Sequence, residues 1–263
     1  SNTATSGGLN SSAQLTIGMG SLGTVQFNDV SGSAANAIDD VLPKAYEEAW
    51  DGTTHSSNFH SFGSSTQSGS VDYRTPALSI GDISVSLTAT YDPNGGAGPA
   101  SAGGVGGNSN GGEAYTAKVS GMGLTLGLGY ETVDTAATAA GAADLERNTG
   151  YLLYSNGPIS IGYQETFQNT ENKGHSTTQA PDIQSDGMAF AFTQDNLSVS
   201  YAEVTEQVQD IAGVTEAETE MTAIQATYTM GAMTLGMSMY ETDNPEGTTG
   251  KYEETELSVS FAF

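Results

Sequence analysis

The chain ends with the stretch Glu256-Leu257-Ser258-Val259-Ser260-Phe261-Ala262-Phe263, in which large apolar side chains alternate with polar or small ones. Successive side chains of a β-strand point to opposite faces of the sheet. The stretch therefore predicts a strand with one apolar, aromatic face and one small, polar face. The same alternation occurs at 83–91, 124–130, 197–201 and 224–230. Alternating strands thus decide the fold class of this chain.

Thirteen such segments follow one another along the sequence, beginning near residues 12, 23, 69, 81, 113, 123, 149, 158, 185, 196, 218, 232 and 252. Short turns rich in Gly, Asn and Asp, which tolerate the positive φ of tight hairpins, alternate with long polar loops. Short turns at one end and long loops at the other are typical of membrane-spanning barrels. We therefore predict an all-β fold, a transmembrane antiparallel β-barrel. Its apolar face meets lipid and its hydroxyl-rich face surrounds water.

The composition excludes several classes of protein. The 263 residues include no Cys, which excludes a disulfide scaffold and thiolate chemistry. The net charge of -25 argues against a nucleic-acid partner, because phosphates require Lys and Arg. No apolar run approaches the ~20 residues of a membrane helix. A soluble all-β protein with a buried apolar face remains the alternative, although the regular separation of short and long connections counts against it.

Four features resemble the general porins of Gram-negative bacteria, especially those of the alphaproteobacterial type. They are the hairpin at 15–27, a long insertion at 31–68, the strand at 71–81 with its Tyr73–Pro76–Gly81 pattern, and the terminal Phe263. The resemblance implies a homotrimer in the outer membrane, surrounded by lipid and lipopolysaccharide. It also implies passive diffusion of small hydrophilic solutes and ions through a water-filled channel. Phe263 is then expected to be the assembly signal.

The strand count departs from the family pattern. Family barrels have sixteen strands, and the inward loop follows the fifth. An all-antiparallel barrel of this kind needs an even number of strands to close. Here the long insertion follows the second segment, so the thirteen segments fit strands four to sixteen. We expect residues 1–263 to form a single barrel domain, with about three further strands preceding this sequence.

The insertion at 31–68 is the expected constriction loop. Pro43 suits a first helical turn, so segment 44–50 is predicted to form one or two helical turns that Gly52 ends. By the resemblance, the loop folds into the barrel and narrows it. It would present five carboxylates to the lumen: Asp39, Asp40, Glu47, Glu48 and Asp51. The alternative is that these five are ordinary solvated loop charges.

Family pores set a basic cluster on the wall opposite the acidic loop, and the candidates for it are Arg74 and Lys118. Lys118 is out of phase with the apolar Tyr115, Ala117 and Val119, and should therefore face the lumen. Each basic residue could instead be the structural partner of a nearby carboxylate. Acidic walls predict a mild preference for cations that weakens as salt screens the charges.

Other chemistry is poorly supported. Further acidic residues on the predicted extracellular loops offer a Ca²⁺ site or simply a charged surface beneath lipopolysaccharide, and no EF-hand pattern is present. They are Asp144, Glu146, Glu216, Glu218, Glu220, Asp243 and Glu246. His55 and His60 lie among Ser and Thr, but no Gly-x-Ser-x-Gly elbow surrounds a serine in a strand–turn–helix context. The Gly-rich stretches lack the Gly-Lys-Ser/Thr end of a phosphate loop. We predict no enzymatic activity and no cofactor except such Ca²⁺. A solute-selective porin and an adhesin-like structural barrel remain alternative functions.

Overall fold

The computed structural model describes residues 13–29, 33–51, 62–63, 69–93, 109–135, 145–170, 182–209, 218–245 and 249–262. These residues form an antiparallel sheet. Its strands are β1 (Ala13–Gly18), β2 (Thr24–Asp29), β3 (Val71–Arg74), β4 (Leu78–Ile80), β5 (Ile83–Asp92), β6 (Ser109–Gly121), β7 (Leu124–Thr135), β8 (Leu145–Asn156), β9 (Ile159–Thr170), β10 (Asp182–Gln194), β11 (Leu197–Gln209), β12 (Thr219–Met230), β13 (Met233–Asp243) and β14 (Lys251–Phe261). Two short 3₁₀ turns, Gly20–Leu22 and Ala35–Ile38, accompany them. In this described part of the chain, neither is long or apolar enough to cross a membrane.

Apart from β3 and β4, which do not pair with each other, every strand pairs with its neighbours in sequence. The order is β1-β2-β3-β5-β6 and onward to β14, and β4 also pairs with β5. β3 and β4 are the two halves of one strand, separated by 75–77. Pro76 causes the gap because it has no N–H to donate to the ladder. The Thr75 N–H still donates to the Leu87 carbonyl at 3.0 Å and keeps the halves aligned. Counted this way, the thirteen predicted segments are confirmed.

β1 and β14 are the two edges of the sheet, and the described strands do not close it. Neighbouring strands run in opposite directions, and the path contains an odd number of strands. The first and the last strand therefore run in the same direction, toward the end of the sheet that carries the short turns. The two edges therefore cannot pair with each other as antiparallel neighbours. Both faces of β1 are exposed along its whole length.

The two faces of the sheet differ in what covers them. One face, called here the inner face, carries the segment 33–51, and polar side chains such as Gln164 and Thr166 are fully buried there. The outer face exposes large apolar side chains, and Leu257 is 79% exposed. The prediction of an apolar face directed away from the interior is confirmed. No described part of the chain seals that face, as the soluble alternative would require.

On the outer face, the boundary between apolar and polar residues runs obliquely across the strands. One row of cross-strand partners stays apolar as far as β10 and then turns polar: Val85, Val119, Leu126, Leu152, Tyr163, Met188, Glu203, Thr222, Glu241, Glu253. The next row toward the short turns stays apolar as far as β13: Leu124, Tyr154, Ile161, Phe190, Tyr201, Ile224, Met239, Thr255. Strands tilted by about 35–45° in a bilayer require this slope, because the ladder climbs as it crosses the strands.

Candidate functional site

The segment 33–51 lies along the inner face and is held by side chains of the strands it crosses. Gln164 on β9 forms the first anchor, since its Oε1 accepts from the Val41 N–H at 3.1 Å. Its Nε2 donates to the carbonyls of Ile38 and Asp39 at 3.2 and 2.9 Å. One amide thereby satisfies three backbone groups of the loop and fixes the loop against β9.

The second anchor explains why the helix predicted at 44–50 is absent. Gln225 on β12 accepts from the N–H groups of Tyr46 and Glu47 at 3.1 and 3.2 Å. It also donates to the Glu47 carbonyl at 2.6 Å. Ser200 accepts from the Ala45 N–H at 2.9 Å. The prediction of helical turns was wrong, because side chains of the wall take the backbone groups that a helix would pair internally. The helical geometry lies earlier, in the 3₁₀ turn at Ala35–Ile38.

The start of the loop is tied to a buried carboxylate, Asp72 on β3. Its oxygens accept from Asn28 Nδ2 at 2.8 Å, the Ala34 N–H at 2.8 Å and Thr90 Oγ1 at 2.6 Å. The Arg74 guanidinium lies 3.7 Å away. Asp72 therefore fixes the point at which the chain leaves β2 and enters the loop.

A second buried carboxylate, Glu131 on β7, holds the described part of the loop beyond residue 51. Its Oε2 accepts from the Gly63 N–H at 3.0 Å and from Arg147 Nη1 at 3.1 Å. Arg147 Nε in turn donates to Gln168 at 2.9 Å. The group forms a latch across β7, β8 and β9, with the Arg147 side chain 10% exposed and that of Glu131 0%.

Apolar contacts between loop and wall supplement these bonds. One cluster joins Leu42, Ala49 and Trp50 of the loop to wall residues that include Ala189, Ala202, Val204, Met221, Ala223 and Tyr240. A second joins Ala35, Ile38 and Phe62 to Ala114 and Tyr151. These wall residues were not predicted from the sequence, because the inner face was expected to be hydroxyl-rich. The available signal was loss of alternation, as at 188–192, where both faces are apolar.

A glycine of the wall makes room for the loop. A Cβ at Gly162 would lie 2.5 Å from Pro43 Cδ and 2.8 Å from Leu153 Cδ2. Any larger residue there must push the loop away from β9. Gly162 therefore contributes to the surface on which the loop rests.

The five predicted carboxylates all lie on the loop segment that follows the 3₁₀ turn, and each has a hydrogen-bond or ion-pair partner. Asp39 accepts from Asn36 Nδ2 at 2.6 Å. Lys44 forms ion pairs with Asp40, at 3.3 Å, and with Glu48. Asp51 accepts from the Glu48 N–H at 3.1 Å. Glu47 accepts from the Tyr240 hydroxyl of the wall at 3.3 Å. The loop thus presents a continuous acidic surface in which one lysine is embedded.

The two predicted basic residues have different roles in the structure. Arg74 pairs with Asp72, the carboxylate that fixes the start of the loop. This matches the alternative in which the basic residue is the structural partner of a nearby carboxylate. Lys118 is the cross-strand partner of Ser86 and Gly127, on the inner-face side of β6, and is exposed. Among the described residues it has no ion-pair partner, so its charge acts on the solvent along the inner face.

Carboxylates outnumber basic groups on the described inner face. The basic groups are Lys44, Arg74, Lys118 and Arg147. The carboxylates of loop and wall are Asp39, Asp40, Glu47, Glu48, Asp51, Asp72, Asp92, Glu131, Glu206, Glu254 and Glu256. Within the ranges described, no group of three or more acidic or His side chains is placed to hold a metal ion. Phe263, His55, His60, Asp144, Glu216 and Glu246 lie outside the described residues.

One loop carboxyl is strongly perturbed. Burial first, and then a hydrogen bond and repulsion from Asp40, raise the pKa of Asp39 to about 8. The folded protein keeps this proton where the unfolded chain has lost it. The resulting contribution to stability is complete below the ordinary pKa of 3.8 and disappears as the pH rises to about 8.

In the channel that the sequence predicts, titration of Asp39 should change ion selectivity. Raising the pH from about 6 to about 9 adds one negative charge to the loop, so the cation-to-anion permeability ratio should rise over this interval. The Asp39→Asn variant should lack the step. Asp195→Asn, at the exposed turn between β10 and β11, should retain it. Reversal potentials measured across a salt gradient would show this, and an unchanged step in Asp39→Asn would contradict the assignment.

Comparison with known proteins gives a match in structure but none in sequence. No family model and no curated protein matches the chain. OmpT of Vibrio cholerae, expressed in the outer membrane, aligns with a TM-score of 0.58 and 11% identity, covering 92% of this chain and 77% of that one. OccAB2 of Acinetobacter baumannii aligns at 0.54 and 9%, covering 95% and 66%. OccK11 of Pseudomonas aeruginosa aligns at 0.53 and 11%, covering 95% and 69%. At these identities the likeness shows the fold alone, which is the antiparallel β-barrel architecture of these proteins.

Proposed function

We propose that this protein is a porin of the Gram-negative outer membrane, of the alphaproteobacterial type, that lets small hydrophilic solutes and ions diffuse passively and prefers cations. The observation that carries the proposal is the way in which segment 33–51 is fixed to the sheet. The loop is fixed by Gln164, Ser200 and Gln225 to the polar face of a sheet whose opposite face exposes apolar side chains. A loop held in this way narrows a channel and lines it with carboxylates.

Transport fits this arrangement better than catalysis. The carboxylates of the loop are bonded to the wall, to Lys44 or to other groups of the loop, so each of them has a structural contact. The proposal includes assembly as a homotrimer among lipid and lipopolysaccharide, with Ca²⁺ at the acidic outer loops as an optional addition. Solute selectivity and adhesion are the competing functions.

The test is reconstitution of the full-length protein into planar bilayers. Stepwise conductance increments would support the channel. A reversal potential of the sign expected when K⁺ permeates more readily than Cl⁻ across a KCl gradient would support the cation preference. The preference should shrink as ionic strength rises, because salt screens charges within about 8 Å at physiological strength. Absence of conductance would favour the adhesin-like barrel, and an anion preference would reject the predicted selectivity.

Lys118 provides a test of the electrostatic mechanism. Lys118→Gln removes a positive charge on the inner face and should raise the cation-to-anion permeability ratio. For a charge about 10 Å from the path of the ion in water, Coulomb's law gives ~0.4 kcal/mol, or about a twofold change. Lys251→Gln is the matched control, because Lys251 pairs with Glu241 and Glu253 on the outer face. Equal effects of the two substitutions would show that the inner face does not set selectivity.

A further inference from the structure

An open groove on the outer face, called here the Gly150 groove, lies where β8 has no side chain. Gly150 is the cross-strand partner of Leu128 on β7 and of Glu165 on β9. The groove has a volume of about 540 Å³, and its lining is mostly apolar. Its large apolar and aromatic side chains are those of Leu126, Leu128, Leu152, Tyr163 and Phe167. Ligand sites in proteins are mostly apolar and have volumes of about 300–1,000 Å³, so this groove is large enough to hold part of a ligand.

The Gly150 groove lies at the boundary between the apolar and the polar parts of the outer face. The row of cross-strand partners that passes through Gly150 is apolar on β5, β6 and β7 and becomes acidic at Glu165 and Asp186. The next row toward the short turns is still apolar or aromatic here, with Leu152 and Tyr163. A molecule in the groove therefore meets a hydrocarbon-like surface at one end and carboxylates at the other. These are the surroundings that suit an amphiphile.

The polar end of the groove is negatively charged and has neutral hydrogen-bond donors. Glu165 accepts from Gln184 Nε2 at 3.1 Å, and Asp186 accepts from Thr205 Oγ1 at 2.8 Å. On the described outer face the basic side chain is Lys251, which pairs with carboxylates of β13 and β14. A carboxylate can accept about four hydrogen bonds, so Glu165 can take a further donor. Charge complementarity favours a donor that is a cation.

We propose that the Gly150 groove binds a membrane lipid whose headgroup carries a primary ammonium group. An acyl chain would lie over Gly150, among Leu126, Leu152 and Tyr163, and the ammonium group would donate to Glu165. An anionic headgroup would be repelled by Glu165 and by its cross-strand partner Asp186. The inference rests on the proposed location of the protein in a membrane, and it is independent of conduction through the channel.

Native mass spectrometry of the full-length protein in a non-ionic detergent measures this binding directly. The protein is titrated with dioleoylphosphatidylethanolamine in one arm and with dioleoylphosphatidylglycerol, whose headgroup is anionic, in a second. A third arm uses dioleoylphosphatidylcholine, which has the net charge of the ethanolamine lipid but no N–H donor. Saturable binding of the ethanolamine lipid is expected, with an affinity about tenfold higher than that of either other lipid, because a charge-assisted hydrogen bond is lost with each of them.

Filling the groove tests its role. Gly150→Leu should weaken binding of the ethanolamine lipid at least about tenfold, because the new side chain occupies the space of the acyl chain. The fold should tolerate it, since a Cβ at Gly150 would lie 3.3 Å from the flexible end of Leu128 and 4.0 Å from the Gly127 carbonyl. Ala226→Leu is the matched control. It places the same side chain in a second outer-face groove, of about 340 Å³, whose lining residues carry no charge.

A second substitution tests the choice of headgroup. Glu165→Gln should weaken binding of the ethanolamine lipid about fivefold and remove most of its advantage over the choline lipid, because the amide carries no charge. Glu253→Gln is the control, because it removes the same charge from β14, away from the groove. Circular dichroism verifies that each variant keeps its β-structure.

The outcomes separate this site from the channel itself. Equal affinities of the unmodified protein for the three lipids, or equal weakening by Gly150→Leu and Ala226→Leu, overturns the site even if bilayer recordings show a cation-preferring channel. Equal effects of Glu165→Gln and Glu253→Gln overturn the assignment of the ammonium group. Binding that Gly150→Leu weakens and Ala226→Leu leaves intact supports the site even if the recordings show no conductance, which would overturn the channel alone.

Discussion

Arg147→Met is expected to lower the free energy of unfolding by about 3–5 kcal/mol, because removing one partner of a buried ion pair leaves the other charge uncompensated. Glu131 is 0% exposed, and its Oε2 lies 3.1 Å from Arg147 Nη1. The substitution also removes the bond from Arg147 to Gln168. Urea titration of the protein in lipid or detergent, followed by Trp50 fluorescence, measures the change.

A matched control separates this effect from a general loss of charge. Lys251→Met breaks the ion pairs with Glu241 and Glu253, but these side chains are 42% and 68% exposed. Exposed pairs contribute about 0–1 kcal/mol, so this variant should remain close to the unmodified protein. The double variant Glu131→Gln, Arg147→Met should recover part of the loss. Equal destabilisation by Arg147→Met and Lys251→Met would contradict the latch.

Gln225→Ala is expected to release the acidic part of the loop from the wall. The variant loses three hydrogen bonds to the backbone of Tyr46 and Glu47. The lost bonds together correspond to about 2–3 kcal/mol of local stability, given ~1 kcal/mol for each. Hydrogen exchange at the amides of Tyr46 and Glu47 should accelerate by about 30- to 150-fold, and open-channel current noise should increase.

Gln184→Ala is the control for this prediction. Gln184 also sits on a strand and donates through its side-chain amide, to Glu165 at 3.1 Å, but it has no bond to the loop. Its replacement should leave exchange at Tyr46 and Glu47 unchanged. If Gln225→Ala also leaves these amides protected, the loop is held mainly by its apolar cluster around Trp50.

The alternation of side chains was enough to predict the strands and the direction of their faces. It is a local property, since neighbouring residues on a strand must point to opposite faces whatever the partner strand is. Leu257, Val259 and Phe261 are exposed on the outer face, as their spacing requires. The thirteen segments and the short turns between them follow from the same local rules. Pro76 divides one strand for an equally local reason.

The interior of the site depended on contacts that no local pattern encodes. The helix predicted at 44–50 is absent because Gln225, 178 residues from Glu47, pairs with the loop backbone. Likewise, Val41 is fixed by Gln164, which is 123 residues away. The residue types alone do not predict that Arg74 pairs with Asp72 while Lys118 remains exposed.

Local sequence patterns were sufficient to predict a sheet of alternating strands with an apolar outer face and a long acidic loop. The position of the loop, the wall side chains that hold it and the bond from Tyr240 to Glu47 depend instead on the folded sheet. The physical reason is the range of the interactions. Strand alternation is fixed between adjacent residues, whereas each contact of the loop joins groups that only the curvature and register of the whole sheet bring together.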